Sequence, residues 1–307
     1  MSRQHDAQAP CISIVVLTYN RCEEVCATLK RLLAVSAAFG GLPIIVVDNA
    51  STDGTAQRIA HEFPQVELVR TVANVGAAGR NLGVQRVHTP YVAFSDDDTF
   101  WSRTALEEAA GILDDHPDIA IINARVLVGE QAHDDPACQV MATSPLAPIN
   151  EVGPQLIGFM AGACVVRASS FRQAGGYWAP LFIGGEETLL AWDILEQGGR
   201  IVYAPAVVTH HWPSSNRDAA RRRHLIARND IWTAWLRLPV DMALRRSAEV
   251  FKKAPTPRAR CRLLMDILRG ASVIRRYRRP LSTRVCQKID QVWRAPTPEA
   301  ESMRTNL

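Results

Sequence analysis

Short apolar runs alternate with amphipathic stretches over the first two-thirds of the chain, regularly enough to predict its elements. Ile12-Ser13-Ile14-Val15-Val16-Leu17 is strand-sized and almost wholly apolar, as expected of a strand buried on both faces. Glu23–Val35 follows, with Val25, Leu29, Leu32 and Leu33 at helical spacing. Pro43 introduces Ile44–Val47, a second strand ending on Asp48, and then come a helix over Thr55–Phe63 and a short strand over Val66–Val69. Gly79–Val87 opens another helix, Tyr91–Ser95 a strand, Thr104–Asp114 a helix and Ile119–Val128 a strand. This order predicts an α/β fold, a mainly parallel sheet flanked by crossover helices. Residues 129–157, marked by Pro136, Pro145, Pro148 and Pro154, read as a long functional loop or lid. Order returns at Phe159–Val166, in a helix over Glu186–Gln197 and at Arg200–Tyr203.

Beyond His210-His211-Trp212-Pro213 the texture changes to Arg-rich helices, with Leu225, Ile226, Asn229 and Trp232 at helical intervals. Residues 1–216 carry 13 Lys+Arg against 23 Asp+Glu, a net −10, whereas residues 217–294 carry 21 against 6, a net +15. Opposite fields imply separate jobs. The expected division is a disordered N-terminus over 1–10, an α/β domain over 11–216, a basic helical region over 217–294 and a disordered tail over 295–307. No apolar run approaches the about 20 residues that span a bilayer, and the first ten residues lack the apolar core of a secretory signal. Seven cysteines without a C-x-x-C pair indicate reduced thiols and a cytoplasmic protein.

The chemistry gathers after the strand ends, where ligands bind in open α/β sheets. The first such loop is Thr18-Tyr19-Asn20-Arg21, and the second is Asp48-Asn49-Ala50-Ser51-Thr52-Asp53. In the second, Asp48 can accept hydrogen bonds from a base or ribose, while Ser51 and Asp53 can cap the next helix. The third, Asn74-Val75-Gly76 through Gly79-Arg80-Asn81, offers close backbone approach and an arginine for phosphate. It is not the G-x-G-x-x-G fingerprint of dinucleotide binding. The fourth is Asp96-Asp97-Asp98. Three adjacent carboxylates away from bulk water demand a positive partner. Mg²⁺ or Mn²⁺ holding a diphosphate suits them, and a solvated turn capping a helix is the plainer alternative.

Taken together, these four loops resemble glycosyltransferase family 2, whose members have the GT-A fold and move a nucleotide-activated sugar with inversion. The likeness runs in order from about residue 12 to 213. It implies nucleotide-sugar binding by Thr18, Tyr19, Asn20, Asp48, Asn49, Ser51, Asn74, Gly76, Arg80, Asn81, Asp96 and Asp97. It also implies a D-x-D element at Asp96 and Asp98, with Asp98 the direct metal ligand. Glu186-Glu187 stands where the family usually has Glu-Asp or Asp-Asp, and the resemblance assigns the catalytic base to Glu187, with Glu186 beside it. Both glutamates would also suit the start of a helix for its dipole alone. Relatives place a histidine near the metal, which here means His210 or its neighbour His211, with His210 preferred.

The implied reaction is single addition of a sugar, from a UDP-, dTDP- or GDP-linked donor, to a glycan or lipid-linked acceptor. The Gln-x-x-Arg-Trp element of processive members is missing. A non-catalytic nucleotide-sugar binder and a nucleotidyltransferase are the rivals. The second expects a Gly-rich loop after the first strand, and Thr18-Tyr19-Asn20-Arg21 has no glycine. For the basic helices, attachment to the inner face of an anionic membrane competes with pairing against the acidic domain. No nucleic-acid motif accompanies them.

Overall fold

The computed structural model describes residues 11–213, 219–254 and 256–296. The expected disordered ends therefore lie outside the described residues, apart from 295 and 296, as does the expected boundary near 214–217. In chain order the elements begin with β1 (Ile12–Thr18), α1 (Cys22–Ala38), β2 (Ile44–Asp48), α2 (Thr55–Glu62), β3 (Glu67–Arg70), α3 (Gly79–Arg86), β4 (Tyr91–Asp96) and β5 (Thr99–Trp101). They continue with α4 (Ala105–Asp115), β6 (Ile119–Val128), β7 (His133–Asp134), α5 (Pro136–Ala142), β8 (Pro148–Ile149), β9 (Gly153–Pro154), β10 (Ala163–Arg167) and α6 (Ala168–Gln173). Last come α7 (Glu186–Glu196), β11 (Arg200–His211), α8 (Ala219–Arg237), α9 (Val240–Lys253), α10 (Pro257–Tyr277) and α11 (Thr283–Arg294).

The main sheet has the order β3-β2-β1-β4-β10-β6-β11-β5, with β7 on β6. Its first four strands are parallel. β10 then runs antiparallel to both β4 and β6, and β5 antiparallel to β11, so the sheet is mixed. Buried apolar residues cover both faces: Val15, Ile45 and Phe94 on one, Val16, Val46 and Ala93 on the other. That is why β1, β2 and β4 read as nearly unbroken apolar runs. β11 is one long strand, broken in register between Ala204 and Val208.

Residues 129–157 differ from the expected loop. They carry β7, α5 and a small β8–β9 hairpin, and Cys138, Ile149 and Leu156 are buried beneath them. The stretch packs on the sheet because its apolar residues are spaced to do so, and its prolines mark turns between short elements.

The basic helices share the main core. Ala234, Leu238, Met242, Val285 and Ile289 sit in the same cluster as Phe94 and Leu190. Several of their arginines are internal ties: Arg237 grips Asp193 of α7 through Nε (2.5 Å) and Nη2 (2.8 Å), and Arg246 grips Asp230 in the same two-pronged way. The contact between α8 and α10 is closed at Gly270, where a Cβ would fall 2.1 Å from the Trp232 ring. Gly→Ala in a helix ordinarily stabilises by about 1 kcal/mol. Here overpacking reverses the sign, and Gly270→Ala should cost about 1–3 kcal/mol in denaturant unfolding.

Candidate active site

Register brings the loops together. Thr18 pairs with Asp48 and Leu17 with Asp96, so β1, β2 and β4 end side by side. A cleft of about 1100 Å³ opens there, lined by Asp96, Asp97 and Asp98 and also by Glu186 and Glu187. Two acidic groups distant in sequence thus share one cavity, with Arg21, Arg80 and His211 among the other lining residues.

The acidic turn is neutralised from the first loop. Arg21 reaches Asp97 Oδ1 at 2.7 Å and Asp98 Oδ2 at 2.9 Å, and the Thr18 hydroxyl donates to Asp97 Oδ2 at 3.1 Å. Burial pushes Asp97 up to about 7 despite Arg21, and the charge of Asp98 adds to the rise. Burial acts on Asp98 in the same direction, but His211 and Arg21 outweigh it and hold that carboxylate at about 2. Asp96 is the most open of the three and pairs with Arg80 of α3. The approach of Gly162 to it is close, since a Cβ there would lie 2.5 Å from Asp96 Oδ2 and push that carboxylate aside. Burial works against the charge on Arg80, yet Asp96 and the two glutamates keep it protonated.

The glutamates begin α7, directly after Gly184 and Gly185, both with positive φ. Glu186 is buried and its Oε2 has no hydrogen-bond partner among the described residues, whereas Glu187 is half-buried. Burial and then the charge of Glu187 raise Glu186 to about 8. Burial raises Glu187 too, opposed by its backbone hydrogen bond, Arg80 and the hydrogen bond from Glu186. Both carboxyls are thus displaced toward the protonated form, and they titrate as a pair.

Of the other residues expected to bind donor, Thr18, Tyr19, Asn49, Asn74 and Gly76 line the cleft. Asn20, Asp48, Ser51 and Asn81 do not, and each is engaged elsewhere. Asn20 Oδ1 accepts from Thr52 N at 2.8 Å, and Ser51 Oγ accepts from Asn20 N at 2.9 Å, stitching the first two loops together. Asp48 is fully buried, its Oδ1 accepting from Ser51 N at 3.0 Å and its Oδ2 lying 3.3 Å from Arg70 Nε. Asn81 binds both the N–H and C=O of Tyr177. Asn49 braces the third loop through Asn74 Oδ1 and Gly76 O, both at 3.0 Å.

The histidines fall opposite to expectation. His210 stacks on Phe100 with ring centroids 5.0 Å apart and shares a 2.9 Å hydrogen bond with Ser102. His211 instead places Nε2 3.6 Å from Asp98 Oδ1. Among the described residues no three His, Cys, Asp or Glu side chains converge as a ready-made metal cage. Asp98 and His211 still provide an ionised oxygen and an imidazole nitrogen at the cleft. That donor pair fits an ion whose remaining ligands come from water and substrate phosphates.

Three contributors were not picked out from sequence. Arg21 had a signal, since buried carboxylates require a nearby cation. Phe182 gave none: its positive φ and its carbonyl, which accepts from Ala77 N at 2.7 Å, depend on folding. Asn229 is a polar side chain in a buried helical position, which always needs an explanation.

The sheet order and the cleft at the carboxyl ends of its strands define a fold of the GT-A type. Residues 13–174 match the sequence model of Glycosyl transferase family 2, and the chain belongs to that family. It is 29% identical over 207 residues to the pre-mycofactocin glycosyltransferase of Mycobacterium tuberculosis, covering 64% of this chain but 42% of that protein. It is 26% identical over 265 residues to the N-acetylglucosaminyl-diphospho-decaprenol L-rhamnosyltransferase of the same organism, covering 71% of this chain and 85% of the relative. The fold is similar to that of the mannosyltransferase PcManGT from Pyrobaculum calidifontis, solved with GDP-Man and Mn²⁺. The TM-score is 0.58 at 20% identity, over 87% of this chain and 77% of the other.

The raised pKa of Glu186 has a stability consequence. Folding takes up a proton between its ordinary 4.5 and about 8, so stability contributed by this site falls as pH rises through that window. Glu186→Gln removes the penalty. The Tm advantage of the variant over the wild type should grow by at least about 3 °C from pH 5 to pH 8, read by differential scanning fluorimetry.

Proposed function

We propose that this chain is an inverting, single-addition glycosyltransferase, moving one sugar from a nucleotide-sugar donor to an acceptor hydroxyl with help from Mg²⁺ or Mn²⁺. The observation that carries the reading is the single cleft lined by both the Asp96–Asp98 turn and the Glu186–Glu187 pair. Thr18, Tyr19, Asn49, Asn74 and Gly76 bind the donor. Arg80 and Arg21 hold the acidic turn in place against its own repulsion. Asp98, His211 and Asp96 are the residues that would hold the metal, which supplies positive charge to the leaving diphosphate. Glu187, the more open member of the pair, accepts the acceptor's hydroxyl proton. The acceptor oxygen bonds to the anomeric carbon on one face as the carbon–diphosphate bond breaks on the other, so configuration inverts.

The acceptor in this reading is a glycan or lipid-linked glycan, in keeping with the decaprenol-linked substrate in the relative's name. We further read the C-terminal helices as a peripheral attachment to the inner face of an anionic membrane. No helix among the described residues is long and apolar enough to cross one. On α10, however, Leu264, Met265 and Leu268 are 49%, 43% and 64% exposed. Arg258, Arg260, Arg262, Arg275 and Arg276 of the same helix are also exposed. An apolar strip bordered by arginines suits a headgroup layer, each near-surface charge being worth about 1 kcal/mol.

With Mn²⁺ and UDP-GlcNAc, dTDP-rhamnose or GDP-mannose, one donor should raise the wild-type Tm and be slowly hydrolysed. Glu187→Gln should keep that thermal shift and lose about 10²-fold or more of the hydrolysis rate. Normal turnover by this variant would remove Glu187 from the role of base. Asp98→Asn should lose both metal-dependent stabilisation and turnover, and an unchanged response to Mn²⁺ would contradict the metal assignment. In vesicle sedimentation, binding to phosphatidylglycerol but not to pure phosphatidylcholine is expected. Arg275→Glu with Arg276→Glu should weaken it by about tenfold or more. Equal pelleting with both lipids would count against attachment by charge.

A further inference from the structure

The segment that carries the glutamates into the cleft, residues 182–185, leaves the short 3-10 turn Ala179–Leu181 with no regular structure and an unusual backbone. Phe182, Gly184 and Gly185 all have positive φ, at 64°, 84° and 97°. Such a path leaves carbonyls outside any helical or sheet ladder, and they must be satisfied locally. One side chain meets three of them. Asn229 of α8, fully buried, directs Nδ2 at Leu181 O (2.8 Å), Ile183 O (3.0 Å) and Gly184 O (2.5 Å).

The orientation of that amide is set by its neighbour. Arg228 points Nε and Nη2 at Asn229 Oδ1, at 2.9 and 2.6 Å, and an arginine has only donors to offer. The oxygen must face Arg228, which leaves the amide N–H groups facing the loop. Arg228 Nη2 also reaches Leu181 O at 3.1 Å, and its guanidinium lies 4.7 Å from the Trp232 ring centroid. The fit between loop and helix is close: a Cβ at Gly184 would sit 2.5 Å from Ile226 Cγ1, and one at Gly185 would sit 3.2 Å from Asn229 Cβ.

We propose that Asn229, aligned by Arg228, is the positioning residue for the Glu186–Glu187 pair. It gathers the carbonyls of 181, 183 and 184 onto one point of α8 and so fixes where α7 begins and where its first two side chains emerge. This rests on the reading of Glu187 as base. It gives the basic helical region a share in the reaction, since the alignment of the base is set from a helix outside the matched family segment. Asn229 touches neither donor nor acceptor in this proposal and acts only through the loop.

The test uses the full chain with Mn²⁺ and whichever of UDP-GlcNAc, dTDP-rhamnose and GDP-mannose stabilises the wild type most, following donor hydrolysis against pH. Asn229→Ala and the isosteric Asn229→Asp, which cannot donate, should each lower kcat on the order of 10²-fold, as misplacement of a reacting group by about 1 Å does. Donor KM should stay within about threefold, because Asn229 holds the carbonyls of 181, 183 and 184 and not that of Phe182, whose carbonyl meets the donor loop at Ala77. The acid limb of the pH–kcat profile should move to lower pH as the glutamates gain solvent. Arg228→Gln, which keeps one donor for Oδ1, should fall between these variants and the wild type, and it carries the test if both Asn229 variants fail to fold. A wild-type kcat and acid limb in a folded variant overturns the proposal, as does a loss confined to Tm. Glu187→Gln is run alongside: if it hydrolyses donor normally, the base assignment fails, whereas its inactivity beside a normal Asn229→Ala sinks the positioning role alone.

Discussion

Arg21 spans two carboxylates in the turn between β4 and β5, and the cleft depends on that bridge. Asp97 and Asp98 are both nearly buried, and an unpaired ion in such a place costs several kcal/mol. The guanidinium offers a planar fork that can serve both acids at once, which an ammonium on a flexible stem cannot do as well. With this turn held, β5 can leave the end of β4 and pair with β11, which sets His211 beside Asp98. The same placement leaves Asp96 free to face Arg80. The three adjacent acids therefore end in three environments: one half-open, one pushed up in pKa and one pushed down.

Much of the fold was legible because burial on both faces writes itself as an apolar run. β1, β2, β4 and β6 were visible for that reason, β6 to the residue. β10 and β11 were harder. The expected segment Phe159–Val166 is strand only from Ala163, because Gly162 and its neighbours line the cleft instead. Neighbouring residues on a strand face opposite sides, so only one of His210 and His211 can reach the cleft, and the preference for His210 had no local signal behind it. The register break between Ala204 and Val208 shifts that alternation, and nothing in the local sequence announces it. Asp48, Asn20, Ser51 and Asn81 were placed with the correct loops, but their side chains serve the scaffold: Asn20 and Ser51 join the first two loops, Asp48 holds its own loop, and Asn81 clamps the backbone of Tyr177. Sequence spacing tells which residues meet at the sheet edge and cannot tell which way each one turns.

The charge asymmetry was legible too, though only half its meaning. A net +15 over residues 217–294 reads as a surface property. Arg237, Arg246 and Arg278 instead spend their donors inside, on Asp193, on Asp230 and on the backbone carbonyls of Trp235 and Leu238. The first tie seats α8 against α7, the other two fasten α9 and the end of α10 to α8 and the residue after it, and the apolar residues of the helices complete the main core. The helical region is thus both a wall of the enzyme and, on the outer side of α10, a row of exposed arginines.

Gly76 shows how tightly the two halves are interlocked. A Cβ there would lie 2.0 Å from the carbonyl oxygen of Phe182, so backbone meets backbone with no side chain between. The 74–78 strip and the 181–185 strip are consequently a matched pair, shaped against each other across a hundred residues of chain. A chimaera that borrowed its first hundred residues from a relative would inherit one surface of this joint without the other. Recombination between family members is confined by that joint to crossovers that carry both strips together.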